Sequence, residues 1–124
     1  MEIVIKKCQK CGAMVEVLKD CECKDCGIRC CGENMITMIA NSVDASFEKH
    51  IPNYEEKDGK IFAFVNHVME EEHYIEWILY SSPKGIQKVC FKPNDKPETL
   101  FENWGKGTLY ALCNKHGLWK KDII

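Results

Sequence analysis

The sequence predicts a mainly β protein in two parts: a small cysteine-rich knuckle over residues 1–37 and a β-sandwich over residues 38–124. Three observations lead there. Short runs of apolar and β-branched residues recur between Gly, Pro and Asp punctuation. No segment shows the helical period over a useful length. Seven of the nine cysteines lie between residues 8 and 31, whereas all four histidines lie after residue 49, so a thiol-rich head precedes a histidine-rich body.

Taken in order, Cys8-Gln9-Lys10-Cys11-Gly12 reads as a knuckle turn with glycine where positive φ is easily adopted. Ala13 to Leu18 is a short strand, Lys19 to Arg29 a polar, cysteine-dense loop, and Cys30-Cys31-Gly32 closes the knuckle. Met35 to Ile39 is a connector strand. In the body, Asn53 to Lys57 and Lys60 to Val65 flank Asp58-Gly59, a strong hairpin signal. Tyr74 to Tyr80 alternates so that Ile75, Trp77 and Leu79 share a face. Ser82-Pro83-Lys84-Gly85 turns into Ile86 to Lys92, where Cys90 alternates with Ile86 and Lys88 and reads as a buried apolar thiol. A strand follows Pro97-Glu98, and Gly107 to Cys113 is the last clear one, for about seven strands in the body. Trp77, Trp104 and Trp119 read as core or dimer packing.

A chain of 124 residues is one ordinary domain with room for a small appendage. A net charge of −2 argues against nucleic acid as a partner. No apolar run approaches the roughly 20 residues that span a bilayer, so no membrane partner is expected. Met1 to Lys7 lacks the layout of a signal peptide, which makes the cytoplasm the default location. In that compartment cysteines read as metal ligands before disulfides.

The histidines and one cysteine form the constellation of most interest: His50, His67, His73, Cys113 and His116. Cys113 and His116 stand three apart in Cys113-Asn114-Lys115-His116-Gly117. His67 and His73 flank the acidic run Glu70-Glu71-Glu72, read as a solvated loop. Zinc usually takes four protein ligands, or three with water, so four imidazoles and a thiolate suit a redox iron better. Amides in the Cys113–His116 turn can point at the sulfur and tune the centre. Glu48 and Lys49 directly precede His50.

These segments resemble superoxide reductase: Glu48-Lys49-His50-Ile51-Pro52, His67 with Glu71-Glu72-His73-Tyr74-Ile75-Glu76-Trp77-Ile78, and Cys113-Asn114-Lys115-His116-Gly117. The leading Cys8-x-x-Cys11 and Cys30-Cys31 are similar to the desulforedoxin domain of the two-iron members, the desulfoferrodoxins. The resemblance spans nearly the whole chain. It implies a desulforedoxin-like head and an immunoglobulin-like sandwich body. It implies one-electron reduction of superoxide to hydrogen peroxide at a mononuclear non-haem iron. His50, His67, His73 and His116 would be equatorial ligands and Cys113 axial. Lys49 and Glu48 would be the lysine and glutamate of the family's mobile loop. A rubredoxin-like iron, with zinc as the alternative metal, would sit in the head. A one-electron donor such as a rubredoxin and a homodimer complete the expectation.

The sequence departs from the family in two places. Val68 follows His67 where many members carry proline, and Cys21, Cys23 and Cys26 are additional. With Cys8 and Cys11 as ligands, Cys21, Cys23, Cys26, Cys30 and Cys31 compete for two places, and the Cys-Cys-Gly match favours Cys30 and Cys31. The three additional thiols leave open a further metal, exchange with Cys30, or a disulfide under oxidation. Two non-catalytic readings compete: a zinc-ribbon module, which explains the head but not the four histidines, and an electron carrier with a closed body site. Superoxide dismutation is the nearest enzymatic rival.

Overall fold

The computed structural model describes residues 2–24 and 27–124. Among these the chain forms strands and no helix, and it divides into two compact units, Glu2–Ile39 and Ala40–Ile124.

The first unit is built from β1 (Ile5–Lys7), β2 (Met14–Glu16), β3 (Arg29–Cys30), β4 (Glu33–Asn34) and β5 (Ile36–Thr37). A three-stranded sheet has the order β2-β1-β5, and β3 and β4 form a separate hairpin. The knuckle turn follows β1. The Gly12 N–H donates to the Cys8 carbonyl (3.0 Å) and the Cys8 N–H to the Ala13 carbonyl (2.8 Å). Strand β1 escapes a sequence reading because its alternation lasts only three residues.

The second unit contains β6 (Asn53–Lys57), β7 (Lys60–Phe64), β8 (Ile75–Ser82), β9 (Gly85–Cys90), β10 (Glu98–Glu102), β11 (Gly107–Cys113) and β12 (Gly117–Ile123). They form two antiparallel sheets, β10-β7-β6 and β12-β11-β8-β9. Between the sheets Ile61, Ala63 and Phe101 meet Ile75, Ile78, Tyr80, Leu109 and Ala111 in one buried cluster, which makes the unit a β-sandwich. Asp58 and Gly59 both adopt positive φ (53° and 76°), the conformation a two-residue hairpin between β6 and β7 requires. Strand β12 is the body strand that the sequence pattern hides: Lys120-Lys121-Asp122 interrupts its apolar alternation.

Two expectations need correction. Ile75 does not share a face with Trp77 and Leu79. Strand β11 pairs Leu112 with Trp77 but Cys113 with Ile75, so Glu76 is an extra residue in a bulge. Strict alternation would turn the Glu76 carboxylate into the core behind Ile78; the bulge puts Ile75 there instead and avoids that desolvation. Cys90 is exposed, not buried. It lies opposite Trp77 on β9, a sheet-edge strand whose alternate residues Ile86, Lys88 and Cys90 all face solvent.

Close approach also sets one residue outright. A Cβ on Gly107 would lie 2.2 Å from the Ser81 carbonyl oxygen, so only glycine fits where β11 enters alongside β8.

Candidate metal centres

The head gathers four sulfurs. Cys8, Cys11, Cys30 and Cys31 have Sγ atoms within 4.8 Å of one another. Adjacent residues of a strand point to opposite faces, so Cys30 and Cys31 can share a centre only if the backbone turns between them. It does: Cys31 and Gly32 adopt φ of 51° and 81°, forming the turn between β3 and β4. A non-glycine residue in that region costs about 1–2 kcal/mol, which a shared metal would offset. The Cys11–Cys30 and Cys30–Cys31 sulfurs are 3.6 Å and 3.9 Å apart. A tetrahedron with metal–sulfur bonds of about 2.3 Å has edges of roughly 3.8 Å, so the group fits zinc or iron. The Cys11 amide, donating to Cys8 Sγ, lowers that thiol to about 7. Hydrogen bonds from Cys30 to the neighbouring Cys11 and Cys8 push its thiol up to about 12. Cys8 is thus eased toward the thiolate, whereas the crowding of sulfurs holds Cys30 toward the thiol until a cation arrives. Cys21 lies outside the cluster and is exposed; Cys23 takes part in a disulfide; Cys26 lies outside the described residues.

The body gathers five donors at one end of the sandwich. His50, His67, His73, Cys113 and His116 have donor atoms within 4.8 Å of one another. His50 closes an irregular turn in which its own N–H and that of Ile51 both donate to the Phe47 carbonyl. His67 follows β7. His73 precedes β8 and is held by a tight hairpin: its N–H donates to the Glu70 carbonyl (3.2 Å), and the Glu70 N–H donates back to its carbonyl (2.9 Å). Glu71 and Glu72 are left exposed at the tip, as expected of a solvated acidic run. Cys113 ends β11, and a three-residue loop closed by Gly117 (φ 80°) returns His116 beside it.

The rings form a square. Neighbouring centroids stand 4.8 Å (His50–His116), 4.9 Å (His116–His73), 4.5 Å (His73–His67) and 4.8 Å (His67–His50) apart, while His50 and His73 are 6.3 Å apart on a diagonal. Nitrogens point inward: His116 Nδ1 is 3.0 Å from His50 Nε2 and 3.2 Å from His73 Nε2. Two nitrogens at right angles about a metal at roughly 2.1 Å stand about 3.0 Å apart, so these spacings match adjacent corners. Cys113 Sγ lies 3.4 Å from His67 Nε2 and 3.7 Å from His116 Nδ1, which are opposite corners. The sulfur therefore sits off the square and over its centre. Five donors of this kind fit one iron better than zinc.

Second partners set which nitrogen faces inward. His50 Nδ1–H donates to the Ser46 carbonyl (2.6 Å), and His67 Nδ1–H donates to the Val68 carbonyl, leaving both Nε2 lone pairs free. The His116 amide donates to Cys113 Sγ at 3.4 Å, as the turn sequence leads one to expect. Trp119, fully buried, stacks on His50 at 4.8 Å and donates its indole N–H to the His116 carbonyl at 3.1 Å. Phe47 packs against Trp119 in a T-shaped contact, centroids 5.3 Å apart. A sequence reading missed this support, although Trp119 stands three residues after His116. Glu48 and Lys49 lie exposed on the turn that delivers His50, and neither belongs to the donor cluster.

Burial, with the mutual repulsion of imidazolium charges, keeps His50 and His73 below the ordinary histidine range and lowers His67 to about 4. Burial pushes the Cys113 thiol up, opposed by the amides of Lys115 and His116. His50, His67 and His73 are thus held toward the neutral form, the form that binds a metal. In the unfolded chain they would take protons near pH 6.5, so acidification from about 6.5 to about 4 favours unfolding. The metal-free protein should melt at progressively lower temperature over that window. His67→Gln should flatten the trend; an unchanged pH dependence of Tm in that variant would contradict it.

Fold and sites together define an all-β metalloprotein with a tetrathiolate knuckle and a separate four-histidine, one-cysteine centre. Comparisons with known proteins agree. The family model for desulfoferrodoxin matches residues 42–122. A desulfoferrodoxin of Desulfarculus baarsii is 39% identical over 126 residues, covering 95% of this chain and 94% of that one. A superoxide reductase of Pyrococcus abyssi is 35% identical over 112 residues, covering 72% of this chain and 97% of that one. Among solved structures, the superoxide reductase from Treponema pallidum superposes with a TM-score of 0.73 at 26% identity, covering 98% of this chain and 99% of that one. The chain belongs to the desulfoferrodoxin family.

Proposed function

We propose that the protein is a superoxide reductase. The observation that carries this reading is the square of four inward-facing imidazole nitrogens with one cysteine sulfur on a single side of it. His50, His67, His73, His116 and Cys113 would hold the body iron, and Cys8, Cys11, Cys30 and Cys31 would hold the head metal. When bound, the body iron supplies one electron to superoxide, which with two protons becomes hydrogen peroxide. The protein's own part is placement. The Ser46 and Val68 carbonyls hold two rings in the required tautomer, Trp119 backs His50, and the loop closed by Gly117 presents the sulfur.

Lys49 is assigned to attract the anion to the side away from Cys113, and Glu48 to offer a further oxygen donor on the same turn. Lys49→Ala should slow the second-order reaction with superoxide by roughly tenfold at low salt and flatten its dependence on ionic strength. Equal rates for variant and parent at both ends of a salt series would remove Lys49 from this role.

The remaining assignments rest on the family. They are a desulforedoxin-like domain over residues 1–37 and a catalytic domain over 38–124, an external one-electron donor of the rubredoxin type, a homodimer, and a cytoplasmic location. No helix among the described residues is long and apolar enough to cross a membrane. The deciding experiment presents superoxide to the iron-loaded, reduced protein and measures both products. Peroxide formed with no dioxygen beyond the spontaneous background is expected. Dioxygen and peroxide in equal amounts would make it a dismutase, and no acceleration would leave it an electron carrier.

A further inference from the structure

Asn114 lies between two metal-binding residues in sequence, yet its side chain serves a third. Strand pairing between β8 and β11 ends at Ile75 and Cys113. Beyond that point the Asn114 N–H donates to the Tyr74 carbonyl at 3.2 Å. Its carboxamide then continues the ladder by one step. Oδ1 accepts from the Tyr74 N–H at 2.9 Å, and Nδ2 donates to the Glu72 carbonyl at 2.9 Å. A carboxamide carries the same donor–acceptor pair as a peptide group, so it can pair with a backbone as a neighbouring strand would. The two groups it engages flank His73. The N–H and carbonyl of His73 itself are bonded to Glu70. All four backbone polar groups around this residue are thereby fixed, two from the hairpin and two from Asn114.

We infer that Asn114 is a positioning residue that locks His73 to the Cys113–His116 loop, so that three of the five donors form one preassembled unit. The inference rests on the metal-site assignment given above. Aspartate keeps the acceptor but lacks the donor for Glu72, and leucine keeps the shape with neither. Both replacements leave the metal-binding side chains in place. Asn114 is exposed, so neither empties the core.

The test titrates Co(II) into the metal-free full-length protein and follows visible absorption, in which the tetrathiolate and imidazole–thiolate sites differ. Asn114→Leu and Asn114→Asp should each weaken Co(II) binding at the body site by roughly 10–100-fold, the usual effect of losing an outer partner of a metal-binding side chain. Binding at the Cys8–Cys11–Cys30–Cys31 site should be unchanged. In a His73→Ala background the same replacements should change body-site affinity by less than about twofold, because their effect passes through His73. Undiminished affinity in both variants, equal losses with and without His73, or losses at both sites alike would overturn the assignment. Wild-type protein that binds Co(II) at both sites, yet in its iron form fails to reduce superoxide, would instead sink the proposed activity and leave the role of Asn114 standing.

Discussion

Cys113→Ser should cost at least about 100-fold in the rate of superoxide reduction, since losing even an outer partner of a ligand costs up to that much. The sulfur is the one donor in the set that would become an anion on binding a metal, and it stands over the centre of the imidazole square. Serine is close in size and its oxygen can accept the His116 amide bond that the buried sulfur accepts, so the fold should survive while the soft, electron-rich donor is lost. The thiolate-to-iron absorption of the body site should vanish, and the absorption of a head loaded with iron should remain. Pulse-generated superoxide followed by stopped-flow spectroscopy gives both readings from one sample. A variant that keeps a rate within about threefold of the parent would place the chemistry elsewhere.

Trp119→Ala should lower the stability of the metal-free protein by about 3–5 kcal/mol, the cost of emptying a large buried aromatic site. Trp119 is fully buried, and three neighbours depend on it: the His50 ring it stacks upon, the Phe47 edge, and the His116 carbonyl that accepts its N–H. Working without metal matters, because a bound ion adds its own stabilisation to the native state. Denaturant unfolding of the metal-free variant gives the number directly. Trp119→Phe should cost less: it keeps an aromatic surface against His50 and loses the hydrogen bond to His116 with part of the ring volume. A loss below about 1 kcal/mol in the alanine variant would mean that the site collapses around the gap.

The donor residues were legible because metal chemistry constrains composition strongly. Four histidines and a late Cys-x-x-His have few other reasons to occur together in a chain this short, whereas in the head composition left five cysteines for two places beside Cys8 and Cys11, and only the resemblance to desulfoferrodoxins favoured Cys30 and Cys31. The Asp58-Gly59 hairpin was equally plain, since its backbone needs residues that tolerate positive φ. The failures lie where a residue's environment is made by a distant strand. Cys90 alternates like a core residue, yet it faces solvent on an edge strand. Ile75 keeps parity with Trp77 in sequence and loses it at the Glu76 bulge, which exists only because β11 lies alongside. Strand β12 owes its place to pairing with β11, and its polar stretch conceals it.

The sequence by itself determined which atoms are available to a metal, in what number and of what softness, and that the scaffold would be β. Only the tertiary structure decided how they are used: which nitrogen of His50 and His67 faces inward, that Cys31 turns back to join Cys30, and that Asn114 and Trp119 hold the donors in place. The reason is physical. Donor chemistry belongs to a side chain alone, whereas tautomer, backbone reversal and ring orientation are set by carbonyls, amides and aromatic faces contributed by residues far away along the chain.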